Sequence, residues 1–185
     1  MRYVHWTTIL LVVAFGAVTL MGPNLAAAET AAKIDREVES TLKKLYAKSA
    51  SARTIGQKAK GILVFPSIVK GGFLVGGQYG EGALLKGGKT NGYYSTIQIS
   101  YGLQAGLQKY GYVLFFMTDS AMGWLGKSDG WEVGVGPSIV VVDEGAATSL
   151  TTTTLQSGIY AFFFDQKGLM GGLGLQGTKI TKITK

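Results

Sequence analysis

A glycine-rich segment that directly follows an apolar, strand-like run is the feature that most constrains the fold. Residues 59–85 read AKGILVFPSIVKGGFLVGGQYGEGALL, with six glycines among the twelve residues 71–82. Glycine lacks the Cβ that blocks close backbone approach, so glycines between β-branched and aromatic residues suit bent, tightly packed strands with bulges. We therefore expect these glycines to shape a sheet, and we predict that its first strand, Gly61–Phe65, ends before Pro66.

The first 28 residues are predicted to be a secretory signal peptide that is cleaved after Ala28. Arg2 precedes an apolar run over residues 9–21, and Ala26, Ala27 and Ala28 are the small residues of a cleavage site. The apolar run is shorter than the ~20 residues that a membrane-spanning helix needs. We therefore expect an exported protein that is periplasmic or secreted, or that lies peripherally on a membrane.

Residues 29–185 are predicted to form one domain, with a helical region at 29–60 and a glycine-rich β core at 61–185. No glycine occurs between Glu29 and Ile55, whereas 26 of the 28 glycines lie from Gly56 onward. Ile34, Val38, Leu42 and Leu45 recur at helical spacing and predict one amphipathic helix. A second short helix is predicted to begin at a Ser51 cap and to continue to about Lys60.

The remaining segments read as short strands without crossover helices, which favours antiparallel pairing. The fold class is therefore α+β, with N-terminal amphipathic helices packed on a strongly curved, mainly antiparallel β-sheet or barrel-like core. A short helix is predicted at residues 118–125, and the threonine-rich segment 148–154 reads as a polar loop or exposed strand. The other predicted strands are 72–77, 82–85, 94–103, 112–117, 131–142, 158–164 and 172–180.

The composition argues against catalysis, because the chain has no cysteine and its only histidine, His5, lies in the predicted signal peptide. Nucleophile pairs that use histidine and the usual zinc, haem and iron–sulfur ligands are therefore missing after cleavage. Turn and strand-end roles account for the carboxylates Asp119, Asp129 and Glu132. We predict a protein that is not an enzyme and that has no metal and no cofactor.

Two sequences that look like nucleotide-binding motifs also fail. Gly88-Lys89-Thr90 matches the end of a phosphate-binding loop, but the required first glycine is replaced by Ala83. Residues 172–177 satisfy G-x-G-x-x-G, yet only eight residues follow them, far fewer than the ~30-residue βαβ unit that gives this motif its meaning. Both read as hairpin or strand glycines.

The run from Ala59 to Leu85 resembles the opening of the SYLF domain, also called the Ysc84 domain, in which AKG, an apolar stretch and FP lead into GG-x(3)-GG-x-x-G. The resemblance continues through residues 115–122, 130–143 and 158–177, and so covers nearly all of the chain after the first thirty residues. It implies an exported lipid-binding protein of bacterial type. It also implies membrane contact through the N-terminal helical segment, because relatives engage membranes in this way.

Anionic phospholipid is the predicted partner, since the formal net charge is +7 and export argues against nucleic acid. The apolar face of the first helix has two interpretations: it packs on the β core, or it inserts into a membrane surface. Aromatic residues are further candidates for membrane contact, namely Tyr93, Tyr94, Tyr110, Tyr112, Trp124 and Trp131. Core packing explains Trp131 better, because it begins an alternating strand. The predicted lipid-binding residues are Lys33, Arg36, Lys43, Lys44, Lys48, Arg53, Lys58, Lys60 and Lys70.

The favoured function is a noncatalytic lipid-binding module of the cell envelope, which engages anionic phospholipid through its basic amphipathic N-terminal region. One alternative is a small outer-membrane β-barrel, which the signal peptide and the glycine- and aromatic-rich strands support. A second alternative is an envelope domain that binds another protein.

Overall fold

The computed structural model describes residues 29–73, 75–101, 106–142, 157–167 and 175–185. Within these ranges two N-terminal helices precede a curved, mostly antiparallel sheet, which confirms the predicted α+β class. The elements are α1 (Ala31–Lys48), α2 (Ala50–Lys58), β1 (Gly61–Phe73), β2 (Val75–Lys86), β3 (Lys89–Tyr101), β4 (Gly106–Phe116), α3 (Asp119–Gly123) with a following 3₁₀ turn (Trp124–Gly126), β5 (Trp131–Glu132), β6 (Ile139–Val141), β7 (Ile159–Lys167) and β8 (Lys179–Ile183).

The two N-terminal helices begin at side-chain caps. The Thr30 hydroxyl accepts a hydrogen bond from the Lys33 amide at 3.3 Å, and the Ser49 hydroxyl accepts one from the Ala52 amide at 3.1 Å. The Lys33 amide also donates to the Thr30 carbonyl at 3.0 Å, whereas the cap at Ser49 satisfies an amide of the first turn of α2. Ser49 therefore caps α2, and the prediction of Ser51 as the cap was wrong because the chain breaks only at Ser49 and Ser51 already lies inside the helix.

The sheet has the strand order β5-β8-β3-β2-β1-β4-β7-β6. Consecutive antiparallel hairpins join β1 to β2 and β2 to β3, while β4 returns to pair with the other edge of β1. The single parallel pair in the part of the chain that is described joins the short strand β6 to β7.

The first strand passes through Pro66, so the prediction that it ends at Phe65 was wrong. The pairing of β1 shifts between Val64 and Ser67 against β2, and between Phe65 and Ile68 against β4. A bulge of this kind accommodates proline, whose missing N–H cannot contribute to a regular ladder. The predicted short strands 61–65 and 72–77 therefore belong to two long strands, β1 and β2.

The predicted strand 131–142 is also wrong, because it is two short strands at opposite edges of the sheet. β5 pairs with β8, whereas β6 pairs with β7. Gly134 and Gly136 adopt φ values of +107° and +99°, a backbone conformation that turns the chain and that glycine adopts without steric cost. The last strand begins at Lys179 rather than near residue 172, and residues 168–174 and 148–154 lie outside the described residues.

Both faces of the sheet carry buried side chains. On one face, Val64, Ala83 and Val113 lie beneath α1 and α2. On the opposite face, residues such as Leu63, Tyr112 and Trp131 form a second cluster that α3 and the loop after it help to cover. The helices occupy only part of the first face, and the uncovered part is where the candidate site lies.

Candidate functional site

The apolar stripe of α1 is buried against the sheet. Ile34 is fully buried, and Val38, Leu42 and Leu45 are at most 8% exposed. They contact the cluster of strand residues that includes Val64 and Val113. Of the two interpretations of this stripe, the structure therefore has the one in which the helix packs on the β core.

Polar contacts fasten the first turns of α1 to the strands. The Asp35 carboxylate accepts hydrogen bonds from the hydroxyls of Thr90 at 2.9 Å and Tyr93 at 3.0 Å, both near the β2–β3 hairpin. The Glu29 amide donates to the Glu81 carboxylate at 3.2 Å. Hydrogen bonds to charged acceptors are stronger than neutral ones, so these contacts add directional attachment to the hydrophobic packing.

The Glu81 carboxylate also receives hydrogen bonds from the Tyr79 hydroxyl and the Lys185 ammonium, each at 2.6 Å. The side chains of Lys185 and Glu81 are 8% and 7% exposed. Burial alone would raise the pKa of Glu81, but the hydrogen bonds from Lys185 and Tyr79 and the charge of Lys185 outweigh it, so the pKa lies below its usual value. Burial, followed by the contact with Glu81, raises the pKa of Tyr79 to about 12.

This lowered pKa predicts an acid-dependent contribution to stability. The contribution of Glu81 should be fully present above its ordinary pKa of 4.5 and should be lost as the pH falls through the lower folded-state pKa. Urea unfolding of the wild type and of Glu81→Gln should therefore give a difference in unfolding free energy that shrinks between about pH 6 and about pH 3. A difference that stays constant over this range would contradict the assignment.

The structure separates the nine predicted lipid-binding residues into different environments. Arg36, Lys43 and Lys44 are exposed on α1, away from its buried stripe. The exposed residues Lys58 and Lys60 lie around the start of β1. Three others have partners: Lys33 pairs with Glu29 at 2.5 Å and Glu37 at 3.7 Å, Lys48 lies 3.8 Å from Asp165, and Arg53 donates to the Tyr46 carbonyl at 2.6 Å.

Lys70 lies apart from the other eight residues. It pairs in register with Gln78 and Gln108, on the sheet face opposite α1. Gln108 is 3% exposed, and its Oε1 atom has no hydrogen-bond partner among the described residues. The structure therefore does not bring Lys70 together with the basic residues of α1.

Three aromatic candidates for membrane contact were wrong, because Tyr94, Tyr110 and Tyr112 are buried, whereas Trp131 is in the core as expected. The Tyr112 hydroxyl donates to Thr96 at 2.7 Å, and burial raises its pKa. Tyr110 and Tyr93 are similarly bonded, and burial also raises their pKa values, that of Tyr110 to about 12. The partly exposed Trp124 ring lies beneath the Lys127 ammonium, 3.4 Å from its centroid.

Strands β1 to β4 carry an exposed apolar surface that the sequence patterns did not predict, and we call it the strand patch. Its members are Val69, Tyr79, Ile97, Ile99 and Leu107. They form two rows across the sheet, because Val69 pairs with Tyr79 and Tyr79 with Ile97, while Ile99 and Leu107 flank the paired Gly77 and Gly71. Ile99 and Leu107 are 64% and 68% exposed, so large apolar side chains meet solvent at both ends of the row that contains the two glycines.

The strand patch lies on the same face of the sheet as α1. Along β2, Ala83, Glu81 and Tyr79 alternate onto one face, and Ala83 packs beneath the helices. Val69 is the register partner of Tyr79, so it shares that face. The sequence shows that Ile97 and Ile99 alternate with polar residues. It does not show that both are exposed, because their exposure depends on how far α1 extends over the sheet.

A cavity of about 270 Å³ separates α1 from the strand patch. Ser40, Thr41 and Lys44 line it from the helix, and Ser67 and Lys109 line it from β1 and β4. Ser67 and Lys109 each lie two residues along their strands from a patch residue, Val69 and Leu107, and so point to the same face. The cavity therefore opens beside the patch, and its walls carry hydroxyls, the two lysines and two carboxylates, Glu37 and Asp165.

The carboxylates considered in the sequence do not converge on this surface. Asp119 is exposed at the start of α3, Asp129 is exposed in a turn, and Glu132 is exposed on β5. In the described part of the chain, no group of three or more histidine, cysteine, aspartate or glutamate residues is arranged to hold a metal ion.

The fold and the surface define the class of protein: it has a curled α+β domain in which an exposed strand patch lies beside a basic helix. Residues 97–185 match the model of the Ysc84 family, described as Las17-binding protein actin regulator. This match confirms the resemblance to the Ysc84, or SYLF, family over the matched segment. The matched segment begins within β3, after the run at residues 59–85. No match to the chain is found among curated proteins.

None of the helices in the described part of the chain has both the length and the apolar character needed to cross a membrane.

Proposed function

We propose that this protein is a noncatalytic module that binds the surface of anionic phospholipid membranes. The observation that supports this function best is the strand patch, which exposes apolar side chains on the same face as the basic residues of α1. Contiguous exposed apolar surface is typical of a membrane or protein contact site. Cations beside such a surface favour anionic headgroups over neutral ones.

In the proposed mechanism α1 stays on the sheet. Its stripe is buried, so Ile34 and Val38 are not the residues that enter the membrane. Arg36 and Lys43 approach the headgroups instead, and each near-surface cation contributes about 1 kcal/mol. The strand patch then buries its apolar area in the interfacial region, at roughly 25 cal/mol for each Å² removed from water.

The location that fits this function is the cell envelope, after removal of the predicted signal peptide. Cleavage after Ala28 would turn the Glu29 amide, which lies 3.2 Å from the Glu81 carboxylate, into a charged amino group. This new ammonium group would join Lys185 at Glu81. Export would then strengthen the attachment of the start of α1 to the strands.

Vesicle sedimentation tests the proposed surface. We expect Ile99→Ser combined with Leu107→Ser to weaken binding to vesicles of phosphatidylglycerol and phosphatidylcholine by at least ~10-fold, since two exposed apolar side chains are lost from the contact. Val140→Ser combined with Val141→Ser is the matched control, because these valines are also exposed but lie at the β6 edge. The control should bind like the wild type.

The lipid and salt dependence completes this test. Binding of the wild type should rise with the fraction of phosphatidylglycerol and fall with added salt, because screening weakens the attraction of exposed charges. Equal binding to purely neutral vesicles, or failure to bind any vesicle, would overturn the proposed function. Unchanged vesicle binding by the patch variant would remove the strand patch from the mechanism and assign it to a protein contact.

A further inference from the structure

Two of the residues that line the cavity between α1 and the strands are lysines that form no salt bridge with a described residue. Lys44 and Lys109 line it, and neither has a carboxylate within 4 Å in the described parts of the chain. Lys44 belongs to α1 and Lys109 to β4, so the two lysines line the cavity from opposite walls. An anion between them would be attracted to both.

Hydroxyl groups complete the polar lining. Ser40 and Thr41 lie on the flank of α1 that also carries Lys44, one helical turn before it, and Ser67 faces them from β1. None of these three hydroxyls makes a hydrogen bond within the described structure. Hydroxyls and ammonium groups both donate hydrogen bonds, and the oxygens of a phosphate group accept such bonds.

Two carboxylates also line the cavity, but each already has a basic partner. Glu37 lies 3.7 Å from Lys33, and Asp165 lies 3.8 Å from Lys48. The cations Lys44 and Lys109 have no such partner among the described residues. Lys33 also pairs with Glu29, so the cavity and these partners together contain four cations and three carboxylates. The net charge of this group is +1, which favours an anionic ligand over a cationic one.

The size and position of the cavity restrict that ligand further. Its volume of about 270 Å³ is just below that of pockets that hold drug-sized ligands, roughly 300–1,000 Å³, so it suits a headgroup fragment. The strand patch begins two residues from Ser67 and Lys109, at Val69 and Leu107. A phosphate in the cavity would thus leave attached acyl chains beside exposed apolar side chains.

We infer that this cavity binds the phosphate group of a single phospholipid, with its acyl chains on the strand patch. The inference rests on the proposed function and names the lipid group that the membrane-facing surface recognises. The Lys44 and Lys109 ammonium groups hold the phosphate, and the Ser40, Thr41 and Ser67 hydroxyls orient its oxygens. Free phosphate shares the headgroup chemistry but lacks the apolar part, so it binds more weakly.

Titration with dihexanoyl phosphatidic acid below its micelle concentration tests the site, with amide chemical shifts as the readout. We expect saturable shifts at Ser40, Thr41 and Ser67, and at least ~10-fold weaker binding by Lys44→Gln combined with Lys109→Gln. Lys86→Gln combined with Lys89→Gln removes the same charge at the β2–β3 hairpin, and should bind the lipid like the wild type. Glycerol 3-phosphate and inorganic phosphate should bind at least ~10-fold more weakly than the lipid.

Several outcomes would overturn the inference. These are the absence of saturable shifts at the cavity, equal losses in the two lysine pairs, and inorganic phosphate that binds as tightly as the lipid. Vesicle sedimentation of the same variants separates this failure from failure of the proposed function. Suppose that the wild type binds anionic vesicles, and that the cavity variant binds both the vesicles and the soluble lipid as well as the control variant does. Only the phosphate site is then refuted, and the proposed function stands.

Discussion

Gly82→Ala is expected to lower the free energy of unfolding by about 3 kcal/mol, because the new methyl group would enter occupied space. A Cβ at Gly82 would collide with the carbonyl oxygen of Val64 and would lie 2.8 Å from the Phe65 Cδ1 atom. The obstacle is mainly backbone, which cannot rotate away as a flexible side chain can. Accommodation would require β1 and β2 to separate beside the Pro66 bulge.

Gly123→Ala is the matched control for this prediction. Gly123 ends α3, and nothing lies within 4 Å of a Cβ built there. Alanine favours a helix over glycine by up to ~1 kcal/mol, so this variant should be as stable as the wild type or more stable. Urea unfolding measures both variants. A loss below about 1 kcal/mol for Gly82→Ala would mean that the strands do not approach this closely.

Ile34→Ala is expected to cost about 3 kcal/mol of stability, within the ~2–5 kcal/mol typical of isoleucine truncation in a packed core. Ile34 is fully buried between α1 and the strands, and its truncation leaves a cavity in the cluster that also contains Val38 and Val64. The loss should appear as a lower urea midpoint with an unchanged denaturant slope.

Glu39→Ala serves as the control for the helix, since Glu39 is exposed on the opposite side of α1 and the change should remain within ~0.5 kcal/mol. A cost below about 1 kcal/mol for Ile34→Ala would show that α1 is only loosely attached. That result would favour the mechanism in which the helix leaves the sheet and inserts its stripe into a membrane. A cost near the expected value favours the strand patch as the inserted surface.

Local sequence patterns predicted the elements whose determinants are close together in the chain. The spacing of Ile34, Val38, Leu42 and Leu45 predicted α1, and the short helix after β4 was predicted at residues 118–125, where α3 begins at a Thr118 cap. The prediction of one strand at residues 131–142 was wrong, because the strand-like alternation of apolar residues continues across Gly134 and Gly136. Their positive φ values turn the chain, and the pattern of apolar residues does not reveal them.

The candidate site could be predicted only in part. The basic residues of α1 were identified from charge and periodicity, and Lys44 belongs to both the predicted set and the cavity. Lys109 was missed because it is 65 positions from Lys44 and only the pairing of β1 with β4 brings it near the helix. Sequence patterns also could not exclude Lys70, whose face of the sheet depends on the bulge before it.

The sequence by itself determined the α+β class, the amphipathic helix and the resemblance to the Ysc84 family, because each depends on local spacing or on ordered motifs. The tertiary structure alone decided which apolar residues meet solvent. Simple alternation would place Val64 and Val69 on opposite faces, since they are five residues apart. The extra residue at the Pro66 bulge reverses that parity, so Val64 lies beneath α1 and Val69 joins the strand patch on the same face.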